Sequence, residues 1–85
     1  MKDREVKKLA TYKTDHRTMT CNEVIIREEV VAYEELVISE TEYYELIISD
    51  NDLKKDPFIK VFTSKEDANR YAKAIIKKCG FRKAS

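Results

Sequence analysis

The side chains able to do covalent or acid–base chemistry in this sequence are few and scattered. His16 is the one imidazole, and Cys21 and Cys79 are the two thiols. A catalytic thiolate needs an activating partner, and the one histidine available to Cys21 stands five residues earlier, with no further grouping around it. His16 itself lies in a run that reads as a turn, where a lone histidine is a surface residue and not a general base. Together these three scattered ligands lack the paired spacing of a structural zinc site. Asp50-Asn51-Asp52 followed by Asp56 matches part of a calcium loop, but the mid-loop glycine and the terminal bidentate glutamate are missing, so a solvated turn is expected. A chain whose one glycine is Gly80 has no glycine-rich phosphate loop. No enzyme, metal or cofactor is expected.

The chemistry that remains is recognition. Tyr33-Glu34-Glu35-Leu36-Val37-Ile38-Ser39 is nearly repeated as Tyr43-Tyr44-Glu45-Leu46-Ile47-Ile48-Ser49. In spacing, Tyr33-Glu34-Glu35-Leu36 and Tyr44-Glu45-Leu46-Ile47 resemble the immunoreceptor tyrosine-based activation motif, which implies a phosphorylated docking tail. Such motifs occupy disordered tails behind a membrane span. Both runs here are rich in β-branched residues and alternate with period two, so the duplication reads as two adjacent strands of one sheet.

The elements that must position these residues are legible in part. Phe58-Ile59-Lys60-Val61-Phe62 reads as a strand. Thr63 with Glu66 has capping-box spacing, and Ser64 with Asp67 offers a looser version one residue later. Ala68, Tyr71, Ala72, Ile75, Ile76 and Cys79 then recur at steps of three and four, an apolar helical stripe on which Cys79 is expected in the core, with Gly80 as the stop. In the middle, Val24, Ile26, Val30, Ala32, Leu36 and Ile38 share one face when read at period two. Turns are expected at Arg27-Glu28-Glu29 and Ser39-Glu40-Thr41. The expected fold is a single α+β domain over residues 1–85: a two-layer antiparallel meander of four to five strands (near 5–13, 18–27, 30–38, 42–49 and 57–62) with one C-terminal amphipathic helix (near 64–79) packed on one face.

One helix about 10 Å wide covers only part of a sheet whose strands lie about 4.8 Å apart. If Leu36, Ile38, Tyr44, Leu46 and Ile48 face the helix, then Tyr33, Val37, Tyr43 and Ile47 face away, joined by Ile25 and Val31. With Glu35 and Glu45 beside them, these residues form an acidic, tyrosine-bearing face expected to bind a protein partner or a second copy of the chain as a homodimer. An inhibitor or regulator that occupies a partner's surface fits this layout. The alternative is a nucleic-acid-binding regulator using Arg70, Lys73, Lys77, Lys78, Arg82 and Lys83, although no base-reading motif accompanies that charge.

Charge is segregated: residues 1–20 carry a net +3, residues 21–56 a net −8 and residues 57–85 a net +6. No apolar run approaches the roughly 18 residues that span a bilayer. The first twenty residues mix both signs without an apolar stretch, unlike a secretory signal, so a cytoplasmic setting with reduced cysteines is expected.

Overall fold

Two long strands paired along their whole length dominate the molecule. The computed structural model describes residues 2–51 and 56–84. Strand β1 spans Lys2–Lys13, β2 Arg17–Ala32, β3 Glu35–Asp50 and β4 Phe58–Phe62; helix α1 spans Lys65–Cys79 and a short β5 Arg82–Lys83. The register of β2 on β3 runs without interruption from Arg17 opposite Asp50 to Ala32 opposite Glu35. Tyr33 and Glu34 close this hairpin with φ of 52° and 64°, the signature of a two-residue type I′ turn, which requires positive φ at both central positions.

The turns expected at Arg27-Glu28-Glu29 and Ser39-Glu40-Thr41 are therefore absent, because both segments lie inside strands. The strand expected at 30–38 is instead divided by the Tyr33–Glu34 turn, and its halves extend the neighbouring strands. Charged residues survive mid-strand because they meet opposite charges across the ladder. Arg27 Nε donates to Glu40 Oε2 at 3.1 Å and Arg27 Nη1 to Glu5 Oε2 at 3.1 Å, tying β1, β2 and β3 together.

The five strands form one antiparallel sheet in the order β4-β3-β2-β1-β5, with α1 packed on one side. This is the two-layer α+β arrangement expected, although β5, only two residues long, carried no readable signal. Packing centres on Met19, Leu46, Ala72 and Phe81, with Tyr12, Cys21, Ile48 and Tyr71 around them. The small residues Ala68 and Ala72 let the helix lie close to the sheet. Ser64, and not Thr63, caps α1: its Oγ accepts from the Asp67 N–H at 3.4 Å. Gly80 ends the helix at φ 72°, its N–H reaching the Ile76 carbonyl at 3.0 Å. Cys79 is exposed and not in the core, because Phe81 follows the turn and fills the buried position at that end.

A two-residue turn also inverts parity, so odd residues of β2 share a side with even residues of β3. Val24, Ile26, Val30 and Ala32 thus lie on the side away from α1, while Leu36 and Ile38, expected beside them, lie on the helix side. Ile25 and Val31, expected to face away, also lie on the helix side. The duplicated runs are not neighbouring strands: from Leu36 onward both occupy β3, ten residues and so roughly 33 Å apart.

Length decides the shape. At about 1.5 Å per residue, the 15-residue α1 reaches some 22 Å, whereas 16 residues of strand at about 3.3 Å reach over 50 Å. The helix covers one half of the sheet, and the other half projects as an arm. The molecule measures 54 × 28 × 19 Å with a radius of gyration of 16.1 Å, against about 12 Å for a compact chain of this length.

Candidate functional site

The arm ends in a ribbon that is apolar on both sides. Lys2 stands opposite Glu28, and beyond that point only β2 and β3 continue among the described residues. Their last four pairs are Glu29–Ile38, Val30–Val37, Val31–Leu36 and Ala32–Glu35. Val31, Leu36 and Ile38, on the helix side but past the reach of α1, are 76, 67 and 67% exposed, and Tyr33 at the tip is 100% exposed. On the opposite side Val30 and Val37 are exposed as well. Solvated strands ordinarily place polar residues outward, and an isolated two-stranded hairpin is marginal in water. Contiguous exposed apolar side chains on a projecting element mark a contact surface. Its charge has one sign, because the sequence carries no Lys or Arg between Arg27 and Lys54.

The residues singled out from sequence occupy this arm unevenly. Glu35, Val37, Tyr43, Glu45 and Ile47 do share the side away from α1, as register requires, and Tyr33 sits in the turn. They form a line and not a patch, since Val37 and Ile47 are about 33 Å apart. Glu45 is buried and engaged: Asn22 Nδ2 donates to its Oε1 at 3.2 Å, and Arg4 Nη2 lies 3.8 Å from its Oε2. Arg4 is on β1 and Glu45 on β3, so this ion pair passes over Val24 of the intervening β2, which is 0% exposed. Glu45 therefore ties β1, β2 and β3 together there. Tyr43 and Ile47 are half-buried. Sequence reading missed Leu36 and Ile38 as exposed residues, because their apolar alternation promised a covering helix; Val31 was expected on the open face and is exposed, but on the opposite side of the sheet.

Where the arm meets the helix N-terminus, the carboxyls of Glu23 and Glu42 on neighbouring strands shift each other's titration. The Tyr44 hydroxyl donates to Glu42 Oε1 at 3.0 Å. A hydrogen bond to Glu42 pushes Glu23 above the usual glutamate range, reinforced by the charge of Glu42 and opposed by Lys7 and Lys65. Hydrogen bonds from Glu23 and Tyr44 hold Glu42 below that range, and the bond to Glu42 raises Tyr44 in turn. The folded state thus keeps a proton on Glu23 that the unfolded chain has released, so stability falls as pH rises from the usual glutamate range through the raised value of Glu23. Glu23→Gln is expected to raise the melting temperature at neutral pH and to change nothing in acid, where Glu23 is already protonated. Melts across the acid range check this; an equal gain at every pH would mean that the amide acts by packing.

The basic residues lie elsewhere. β5 pairs with Tyr12 and Lys13, which places the C-terminal end of α1 beside the β1–β2 turn, at the opposite end of the long axis from Tyr33. Lys73, Lys77, Lys78 and Lys83 are exposed there. Arg70 approaches Asp67 at 3.8 Å, and Arg82 approaches Asp15 at 3.9 Å, both at exposed positions. His16 is exposed in that turn, its N–H donating to Thr14 Oγ1 at 3.3 Å. Cys21 packs against the core, and burial pushes its thiol up, the reverse of what a nucleophile needs. Of the stretch Asp50-Asn51-Asp52, Asp52 lies outside the described residues. No described helix is long and apolar enough to cross a membrane. Compared with known proteins, the chain matches no family model, no curated protein and no solved structure.

Proposed function

We propose that this chain is a non-catalytic protein-interaction module whose binding element is the tip of the β2–β3 arm. One observation carries the reading: Val31, Tyr33, Leu36 and Ile38 stand on a projecting hairpin with most of their surface in water. Ordered exposed apolar area of this kind is recovered by burial against a partner, at about 25 cal/mol per Å² before the costs of association. Glu29, Glu34 and Glu35 around it select a partner site that is apolar within and basic at its rim. Such a module acts as an inhibitor or regulator by occupying that site. Binding to the basic end of α1 is the competing use of the molecule, and there the ligand is nucleic acid.

One set of variants separates the two. Leu36→Lys with Ile38→Lys is expected to abolish capture of the partner from a lysate of the source cells, a loss of about a hundredfold or more, with circular dichroism unchanged. Lys73→Glu with Lys77→Glu is expected to leave capture intact. Capture that survives the arm variant sinks the proposal. If the helix variant alone removes binding, and oligonucleotide binding falls steeply with salt, the basic helix is the binding element.

A further inference from the structure

We propose that the partner of the arm is an extended polypeptide segment that joins the sheet as a further strand along the outer edge of β3. The inference rests on the reading of the arm as a protein-binding element and names the form of what it binds. Backbone geometry carries it. The two-residue turn makes Ala32 and Glu35 the hydrogen-bonded pair that closes the hairpin, and in an antiparallel ladder such pairs alternate with pairs that are not hydrogen-bonded. Val37, Ser39 and Thr41 therefore turn their N–H and C=O groups toward β2. Leu36, Ile38 and Glu40 turn theirs outward. β4 pairs with β3 only between Tyr44 and Ile48, and among the described residues no backbone hydrogen bond reaches the outward groups of Leu36, Ile38 and Glu40. Every residue from Glu35 to Glu42 is exposed.

The other edges of the sheet carry features that discourage strand addition. β1 sets Asp3, Arg4, Glu5, Lys7 and Lys8 along its length and breaks register between Lys8 and Ala10, and β4 is five residues long with Lys60 at its centre. Leu36-Val37-Ile38-Ser39 has no charge, proline or register break. The acids lie further along, and Glu40 is drawn back over the sheet by Arg27 of β2 at 3.1 Å. A row of open donors and acceptors at strand spacing is matched by another extended chain, whose backbone supplies affinity and whose alternate side chains supply selection. Residues opposite Leu36 and Ile38 share their side of the sheet, where both are 67% exposed. The segment is therefore apolar at those alternate positions. Paired with itself along its full length, the edge would set Leu36 opposite Glu42 and Ile38 opposite Glu40, so the occupant is a partner segment and not a second copy.

Random linear peptides displayed on phage, selected on the whole protein, supply a synthetic peptide as the probe. Selected sequences should alternate apolar residues, and in the complex hydrogen exchange at the amides of Leu36, Ile38 and Glu40 should slow by about tenfold or more. Ile38→Ala should weaken peptide binding. Ile38→Pro, which also deletes one outward N–H at a position that an edge strand tolerates, should weaken it by about a further three- to tenfold, with protection of the Val37 amide unchanged. Equal losses for the two variants overturn strand addition, as does a peptide that binds the arm without slowing those amides; both results leave the arm as the binding element. Selection of no peptide, or only of peptides that Leu36→Lys with Ile38→Lys does not release, also overturns strand addition, and partner capture then decides the arm reading by itself. Edge amides that slow with rising protein concentration in the absence of peptide would give the edge to a second copy, against the proposal.

Discussion

Leu46→Ala is expected to destabilise the protein by about 2–5 kcal/mol, a large share of the roughly 4–13 kcal/mol available to a chain of this length. Leu46 is 2% exposed and packs with Met19, Ala72 and Phe81 at the centre of the helix-covered half. Few other fully buried side chains are available to collapse into the cavity, since among the described residues only Met19 and Val24 are buried as completely. Urea unfolding should show a lower midpoint with an unchanged slope. The duplication supplies an internal control. Leu36 is the same residue on the same strand and the same side, ten positions earlier, yet it is 67% exposed. Leu36→Ala should stay within about 0.5 kcal/mol. If the two substitutions cost the same, the arm is covered in solution and the exposed-tip reading is wrong.

That contrast also shows why the fold was legible in some places and not in others. The C-terminal unit was readable because each of its signals is local: a β-branched strand, a Ser cap, a helical stripe with two alanines, and a glycine in the left-handed region. The arm's turn had no such signal. Tyr33 and Glu34 adopt positive φ without being Gly, Asn or Asp, while Glu28 and Glu40 suggested turns where ion pairs with Lys2 and Arg27 in fact sustain strands. Misplacing one turn shifted parity within β2, and with it the sides assigned to Val24, Ile26, Val30 and Ala32 and to Ile25 and Val31, whereas Leu36 and Ile38 lie on the helix side as expected. The site was half visible for a related reason. Periodicity reports that a residue alternates with polar neighbours, not how far a helix extends, so Leu36 and Leu46 looked equivalent. Glu45 looked like a surface acid, because nothing local announces that Arg4 reaches it across β2.

Tyr33→Asn with Glu34→Gly is expected to stabilise the arm while weakening its binding. A left-handed backbone costs a residue other than glycine about 1–2 kcal/mol, and Asn-Gly is the pair that type I′ turns favour. Glycine returns part of that gain through the greater entropy of the unfolded chain, leaving about 1–2 kcal/mol in favour of the variant. Since the tip is held by two strands alone, hydrogen exchange is the readout: amides of the hydrogen-bonded pairs, Val30 with Val37 and Ala32 with Glu35, should exchange about tenfold more slowly for each 1.4 kcal/mol gained. Capture of the partner should weaken all the same, because Tyr33 offers its whole ring to water in the free protein and supplies the largest single apolar area at the tip. A variant that is more stable and binds less well would show that the strained Tyr-Glu pair serves recognition. If exchange slows and capture is undiminished, the contact is carried by Val31, Leu36 and Ile38 without the tyrosine. Unchanged exchange would mean that the flanking ladder already absorbs the strain of the turn.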